Sequence, residues 1–203
     1  MNYKQVKLSF TNCELNRFYR TLLVKEDINL VDLGCAILTA FKGAYEHCFL
    51  FKANGINYNP LAFIVEIQMD DDVLMDDYTL KDLGNKFTFV YDTGEYWEFE
   101  AIVTLSDIPV RGEDVILIDG AGQGIWEDNI HSLYAYLDGQ IDPNSREDNE
   151  DLGYTLPWNL DFEKYGDFDK PFDIEKEHKK FLKAYKKDLK IYKQEQETYF
   201  KSH

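Results

Sequence analysis

The chain has 203 residues, 44% of them hydrophobic and 30% charged, and a formal net charge of −16, the composition of a globular protein with room for one substantial core. So acidic a chain argues against general nucleic-acid binding, because exchanging phosphate counterions needs a surface of Lys and Arg. No stretch approaches the roughly 20 apolar residues of a membrane span and no apolar segment with a basic start opens the sequence. Cys13, Cys35 and Cys48 lack C-x-x-C spacing and cannot all pair, so a cytoplasmic protein with free thiols and no membrane partner is expected.

Residues 3–10 alternate, with Val6, Leu8 and Phe10 on one face, and residues 17–24 alternate again, with Phe18, Leu22 and Val24 set against Arg17, Tyr19 and Thr21. Two strands joined by a turn at Thr11–Glu14 follow from that pattern. Asn29 stands at a helix N-cap, Asp32 favours the positive helix start, and Leu30, Leu33, Ile37, Leu38 and Phe41 form one apolar stripe. Gly43 is placed to end this helix.

Extended structure is expected at 47–52 and from Ile56 to Tyr58, joined by a tight turn at Asn54-Gly55, and again at 61–69. The run Asp70-Asp71-Asp72 with Asp76-Asp77 lacks the alternate ligands, central Gly and final Glu of a Ca²⁺ loop, and reads as a solvated loop. Phe87, Phe89 and Tyr91 alternate on one strand, and Trp97, Phe99, Ala101 and Val103 on the next. The run between them is a hairpin tip, with Gly94 expected at positive φ.

A short strand is expected at 113–118, followed by the glycine-rich loop Gly120-Ala121-Gly122-Gln123-Gly124. A short amphipathic helix through Ile130, Leu133, Tyr134 and Leu137 stops at Gly139. Residues 140–153 are acidic and polar and read as a surface loop. A long helix covers about 173–200, with Ile174, His178, Phe181, Tyr185, Leu189 and Tyr192 near one face. From Lys176 onward there are nine Lys against four acidic residues, net +5, which leaves −21 on the rest. This asymmetry fits a basic helix lying on an acidic body.

Strand, strand, helix, then further strands implies an α+β fold of β-grasp-like character, a mixed or antiparallel sheet with a packed helix and C-terminal helices. The sequence divides best as a single domain over 1–203, with a core at 1–139, an acidic loop at 140–153 and an extension at 154–203 that carries the basic helix.

Three segments carry a family resemblance. These are His47-Cys48-Phe49-Leu50-Phe51, the hairpin Tyr91-Asp92-Thr93-Gly94-Glu95-Tyr96-Trp97-Glu98-Phe99, and Asp119-Gly120-Ala121-Gly122. Together with the order of strands and helix, over about residues 3 to 175, the chain resembles the plasmid pRiA4b ORF-3-like family, sometimes labelled transposon passenger proteins. The family pattern has a His-centred extended segment, a Tyr-Asp-Phe-Gly-Asp-x-Trp-x-His hairpin and a Glu-Asp-x-Gly-Gly loop. Here Thr93, Glu95 and Phe99 stand where the family has Phe, Asp and His, and Ile118 replaces the Glu before Asp119. The resemblance implies a fold and a mobile-element association; it brings no settled activity.

The residues support three functional readings. A non-catalytic binding or adaptor module would recognise a protein or a small ligand, a basic one among them, near the 91–97 hairpin, through Tyr91, Asp92, Glu95, Trp97 and Trp126. A metal-dependent hydrolase would draw on His47, Asp92, Glu95 and Asp119, since His and carboxylates bind metals and move protons. No H-x-x-x-H or D-x-D spacing supports it, so neither metal nor cofactor is expected. A mobile-element accessory factor would touch nucleic acid through the Lys-rich C-terminal helix. The glycine-rich loop lacks the Lys-Ser/Thr ending of a P-loop, and Glu127 and Asp128 behind it would repel a phosphate while suiting a helix start. The first reading is favoured, and no oligomeric state is implied.

Overall fold

The computed structural model describes residues 2–14, 16–60, 72–108, 112–141, 153–160 and 168–202. The expected strand at 61–69 and most of the acidic loop, 142–152, lie outside the described residues.

The described strands form one sheet. They are β1 Tyr3–Phe10, β2 Tyr19–Lys25, β3 Phe49–Ala53, β4 Ile56–Asn59, β5 Asp72–Leu74, β6 Lys86–Tyr91, β7 Trp97–Leu105 and β8 Val115–Ala121. Their order is β5-β4-β3-β6-β7-β1-β2-β8. All pairs are antiparallel except β4 with β5. The helices are α1 Leu30–Ala40, a single turn α2 Leu80–Leu83, α3 Ile130–Leu137 and α4 Ile174–Ser202. The chain is therefore α+β with a mixed sheet.

Alternation decides which face of the sheet is buried. Val6, Leu8, Phe10, Phe89, Tyr91, Trp97, Phe99 and Ala101 turn inward, whereas Glu100 and Ile102 turn outward. The hairpin register sets Tyr91 directly opposite Trp97, so both enter the core, where they are 0% exposed. Tyr96 faces the other way, where the Lys52 ammonium donates to its hydroxyl at 2.7 Å and lies 5.2 Å from its ring centroid. Helix α1 is buried along almost its whole length, between the sheet and α4, which runs along α1 and β8. Phe181 and Tyr185 of α4 join the core, and Tyr192 stacks on Phe49 with ring centroids 5.4 Å apart.

Asn29 caps α1 by accepting the Val31 amide at 2.8 Å. At the other end the left-handed residue is Lys42 (φ 59°), and Gly43 follows it. The Lys42 amide donates to Thr39 O and the Gly43 amide to Leu38 O, the paired bonds of a Schellman end. The 91–97 turn also differs from expectation. Positive φ falls on Asp92 (53°) and Tyr96 (62°), and Gly94 is not among the positive-φ residues. The Asp92 carboxylate makes this possible, since its Oδ1 accepts the amides of Gly94 (3.0 Å) and Glu95 (3.3 Å), a local bond that offsets the left-handed backbone. Glycine at 94 serves a different need, because a Cβ there would sit 3.3 Å from Asp92 Oδ1. The described part of the aspartate run belongs to regular elements, not to a solvated loop; Asp70 and Asp71 lie outside the described residues. Asp72 opens β5, which pairs parallel with β4, and Asp76 and Asp77 lie in a 3₁₀ turn, Met75–Asp77. Helix α3 ends as expected at Gly139, at φ 73°.

Candidate functional site

The site forms where three chain segments meet: His47 just before β3, Asp92 just after β6, and the loop 122–129 after β8. That loop is drawn across the molecule by a set of directional bonds. The buried guanidinium of Arg20, on β2, donates to Ala40 O at the end of α1 (2.8 Å) and to Gly122 O (3.0 Å) and Gln123 O (3.2 Å). The Ile125 amide donates to Phe41 O at 2.8 Å. Gly124 permits this approach, for a Cβ on it would stand 2.7 Å from the same oxygen. Asn159 adds a clamp, its Nδ2 donating to Lys42 O and Ile125 O and its Oδ1 accepting the Glu127 amide.

Glu127 and Asp128 consequently arrive at the hairpin. Glu127 is 0% exposed. Its carboxylate accepts the Tyr91 hydroxyl at 3.0–3.1 Å and the Ala44 amide. Burial raises its proton affinity, and the bonds from Ala44 and Tyr91 oppose that rise without cancelling it. Burial beside Glu127 raises Tyr91 as well, so the phenol stays a donor. Asp128 is exposed at φ 56°. Its Oδ1 lies 2.9 Å from His47 Nε2 and its Oδ2 accepts the indole N–H of Trp158 at 3.2 Å. These bonds from His47 and Trp158 hold its pKa below the ordinary value.

His47 Nε2 also lies 3.6 Å from Asp92 Oδ2, the oxygen that the turn amides leave unused. Burial acts to lower the His47 pKa, but the bond to Asp128 and the charges of Asp92, Asp128 and Glu127 outweigh it, and the net shift is upward. One atom each from His47, Asp92 and Asp128 lies within 4.8 Å of the other two. Around a metal with bonds near 2.0–2.2 Å, neighbouring ligand atoms stand about 3 to 4 Å apart, so small side-chain shifts would bring all three into one coordination shell. Trp158, 59% exposed, forms the aromatic rim of this corner.

Of the residues singled out in the sequence, His47 and Asp92 are brought together. Glu95 sits beside them on the hairpin but is spent on α3, its Oε2 accepting the Ile130 amide at 3.0 Å. Asp119 lies elsewhere. It is on β8, bonded to the Tyr19 hydroxyl at 2.9 Å, four strands from β6 in the sheet order, or about 19 Å of sheet. Trp97 and Trp126 are both 0% exposed. Trp97 packs on Phe10 and Trp126 on Tyr136 and Phe168, so neither indole is a surface contact. Tyr91 backs the site from the core, its hydroxyl bonded to Glu127 and its ring edge-on to the His47 imidazole, with centroids 6.0 Å apart. Phe99, where the family pattern has His, packs tilted against Phe41, with ring centroids 4.3 Å apart inside the core.

Asp128, Glu127, Trp158 and Arg20 were not singled out as site residues. Arg20 had a signal, for alternation places it with Phe18, Leu22 and Val24 on the buried face. Glu127-Asp128 reads as a helix start in sequence, and its contacts with His47, 81 residues away, and Tyr91, 36 residues away, are tertiary.

The profile of the plasmid pRiA4b ORF-3-like protein matches residues 3–176. The chain belongs to that family. This family member matches no curated protein. Among solved structures it is similar to the crystal structure of a protein of unknown function from Methanosarcina mazei Go1, with a TM-score of 0.60 and 19% identity, over 79% of this chain and 97% of that one. At that identity the likeness shows the fold alone. No described helix is long and apolar enough to cross a membrane.

Proposed function

We propose that this pRiA4b ORF-3-like chain is a binding module whose recognition site is the His47–Asp92–Asp128 corner, and that the corner takes a divalent metal ion. The observation that carries this reading is the convergence of one imidazole nitrogen and two carboxylate oxygens within 4.8 Å. A mixed nitrogen and oxygen donor set suits a borderline ion such as Zn²⁺ or Mn²⁺ better than the all-oxygen shell that Ca²⁺ or Mg²⁺ prefers. Three protein ligands leave coordination positions for a donor from a small ligand or protein segment, and Trp158 offers an apolar wall beside them.

Binding is favoured over hydrolysis by the state of Glu127. A general base must reach a water on the metal, yet both oxygens of this buried carboxylate are engaged by Tyr91 and the Ala44 amide. Glu95 and Asp119 are committed elsewhere, so the four-residue hydrolase set does not assemble.

Isothermal titration of the chelator-stripped chain with Zn²⁺ and with Mn²⁺ tests the proposal. One site per chain is expected, weakened at least ten-fold in Asp92→Asn and in Asp128→Asn and unchanged in Asp119→Asn. Asparagine at 92 keeps the oxygen that caps the turn, so the hairpin should survive. Binding should strengthen as pH rises, because the metal needs a neutral imidazole and His47 holds its proton above the ordinary range. Neither metal binding at one per chain, or binding indifferent to Asp92→Asn, would sink the proposal.

A further inference from the structure

A second site lies on the other side of the 122–129 loop. The first turns of α4 and the segment before it, residues 168–173, roof a cavity of about 150 Å³ against the glycine-rich loop and the end of α1. Gln123 lines it. This side chain is 6% exposed, and neither its Nε2 nor its Oε1 has a hydrogen-bond partner. Leaving a buried amide unpaired costs about 1–3 kcal/mol, and native structures rarely carry that cost without a ligand or water to offset it.

The walls say which ligand. In a chain of net charge −16, the described residues that border this cavity include Lys42, Lys170, Lys176 and Lys180 against Asp173 and Glu177. Both carboxylates are engaged: Asp173 caps α4 by accepting the Lys176 amide at 3.1 Å, and Glu177 pairs with Lys42 (3.1 Å) and Lys180 (2.8 Å). Behind the cavity the Arg20 guanidinium lies over the Phe172 ring, 4.6 Å from its centre. Burial first, then the neighbouring charge of Arg20, pulls Lys42 down to about 8 against the opposing pull of Glu177.

The sequence objection to a phosphate at the glycine-rich loop was the Glu127-Asp128 pair. The structure turns both away, toward Tyr91 and His47, and Gly122 and Gln123 line the same cavity as the lysines.

We infer that this cavity binds a small oxyanion, a phosphate or a carboxylate group, held by the Gln123 amide and the Lys42, Lys170 and Lys176 ammonium groups. The size fits, since an engineered apolar cavity of about 150 Å³ accommodates benzene. The Gln123 amide N–H₂ donates to an oxyanion oxygen, and its carbonyl accepts from a protonated phosphate oxygen or a hydroxyl on the ligand.

Isothermal titration of the full chain, stripped of metal by chelator and then freed of the chelator, with inorganic phosphate and separately with acetate, tests this at constant ionic strength, so that neither a metal at the His47 corner nor the chelator's own carboxylates contribute. Saturable binding of at least one is expected, and comparing the two arms separates phosphate from carboxylate. Gln123→Leu should weaken it roughly ten-fold while leaving the melting temperature equal or higher, because it removes an unpaired buried amide. The double change Lys170→Ala and Lys176→Ala should weaken it several-fold, and Lys186→Ala with Lys190→Ala, further along the same helix, should not. Absence of saturable binding by either anion would mean that water alone fills the cavity, and equal binding by Gln123→Leu would mean that the anion sits elsewhere. Either result overturns the inference.

Discussion

The guanidinium of Arg20 is 0% exposed and has no carboxylate within ion-pair distance among the described residues. Its donors go instead to carbonyl oxygens of Tyr19, Ala40, Ala121, Gly122 and Gln123. Burial pulls its pKa down to about 9, so it stays charged at neutral pH and serves as a fixed knot between β2, the end of α1 and the loop that carries Asp128. Arg20→Met keeps much of the volume and orphans those carbonyls, each worth about 1–3 kcal/mol when unsatisfied. Urea denaturation should show a loss of at least about 3 kcal/mol, and metal affinity at the His47 corner should fall with it. A loss below about 1 kcal/mol would show that the carbonyls find water and that the loop does not depend on the arginine. At this scale the sequence was half legible. Asp92 could be found because a Tyr-Asp-x-Gly turn needs a side chain that bonds its own backbone. Asp128 could not, because its partner is 81 residues away and its neighbours mimic a helix start.

Secondary elements were easier to read than the contacts between them. Alternation located β1, β2, β6 and β7, and the apolar stripe located α1, because each needs only local periodicity. Pairing with another strand is not local, so the three residues of β5, which pair with β4 across an intervening segment, leave no periodic signal. Close approach leaves a weaker trace, visible in α1 as a glycine inside a helix. A Cβ on Gly34 would lie 2.0 Å from Phe49 Cε2, so this glycine sets how near α1 can come to β3. Helix propensity alone predicts that Gly34→Ala stabilises by about 1 kcal/mol. Overpacking costs about 1–3 kcal/mol, and the Phe49 ring has little freedom to yield between Phe51, Phe89 and Tyr192 at 5.4–6.3 Å. The expected result is a lower melting temperature for Gly34→Ala. A higher one would show that Phe49 can turn aside and that the spacing of α1 is not held by this contact.

Across the whole molecule the charges separate, with net +5 from Lys176 onward and −21 before it. The fold brings the two parts into contact. Lys180 pairs with Glu177 inside α4, but Lys186 reaches Glu113 at 3.1 Å and Lys193 forms an ion pair with Asp32, so α4 spends part of its charge on the acidic body instead of presenting all of it to an outside polyanion. Each pair is partly exposed, with Lys186 at 64% and Lys193 at 49% side-chain exposure, and an exposed pair contributes only about 0–1 kcal/mol. Reversing both charges replaces two attractions with two repulsions, so Lys186→Glu with Lys193→Glu should cost about 1–2 kcal/mol at low salt. Screening distinguishes this from lost packing. The Debye length falls from about 30 Å at 0.01 M to about 3 Å at 1 M, so most of the loss should vanish in 1 M NaCl if charge holds α4 to the body. The apolar anchors Phe181 and Tyr185, both buried, are indifferent to that screening. Denaturation curves of both proteins at the two salt concentrations decide the point. A loss that persists undiminished at 1 M would show that α4 is seated by its aromatic face alone, with its lysines left for a partner.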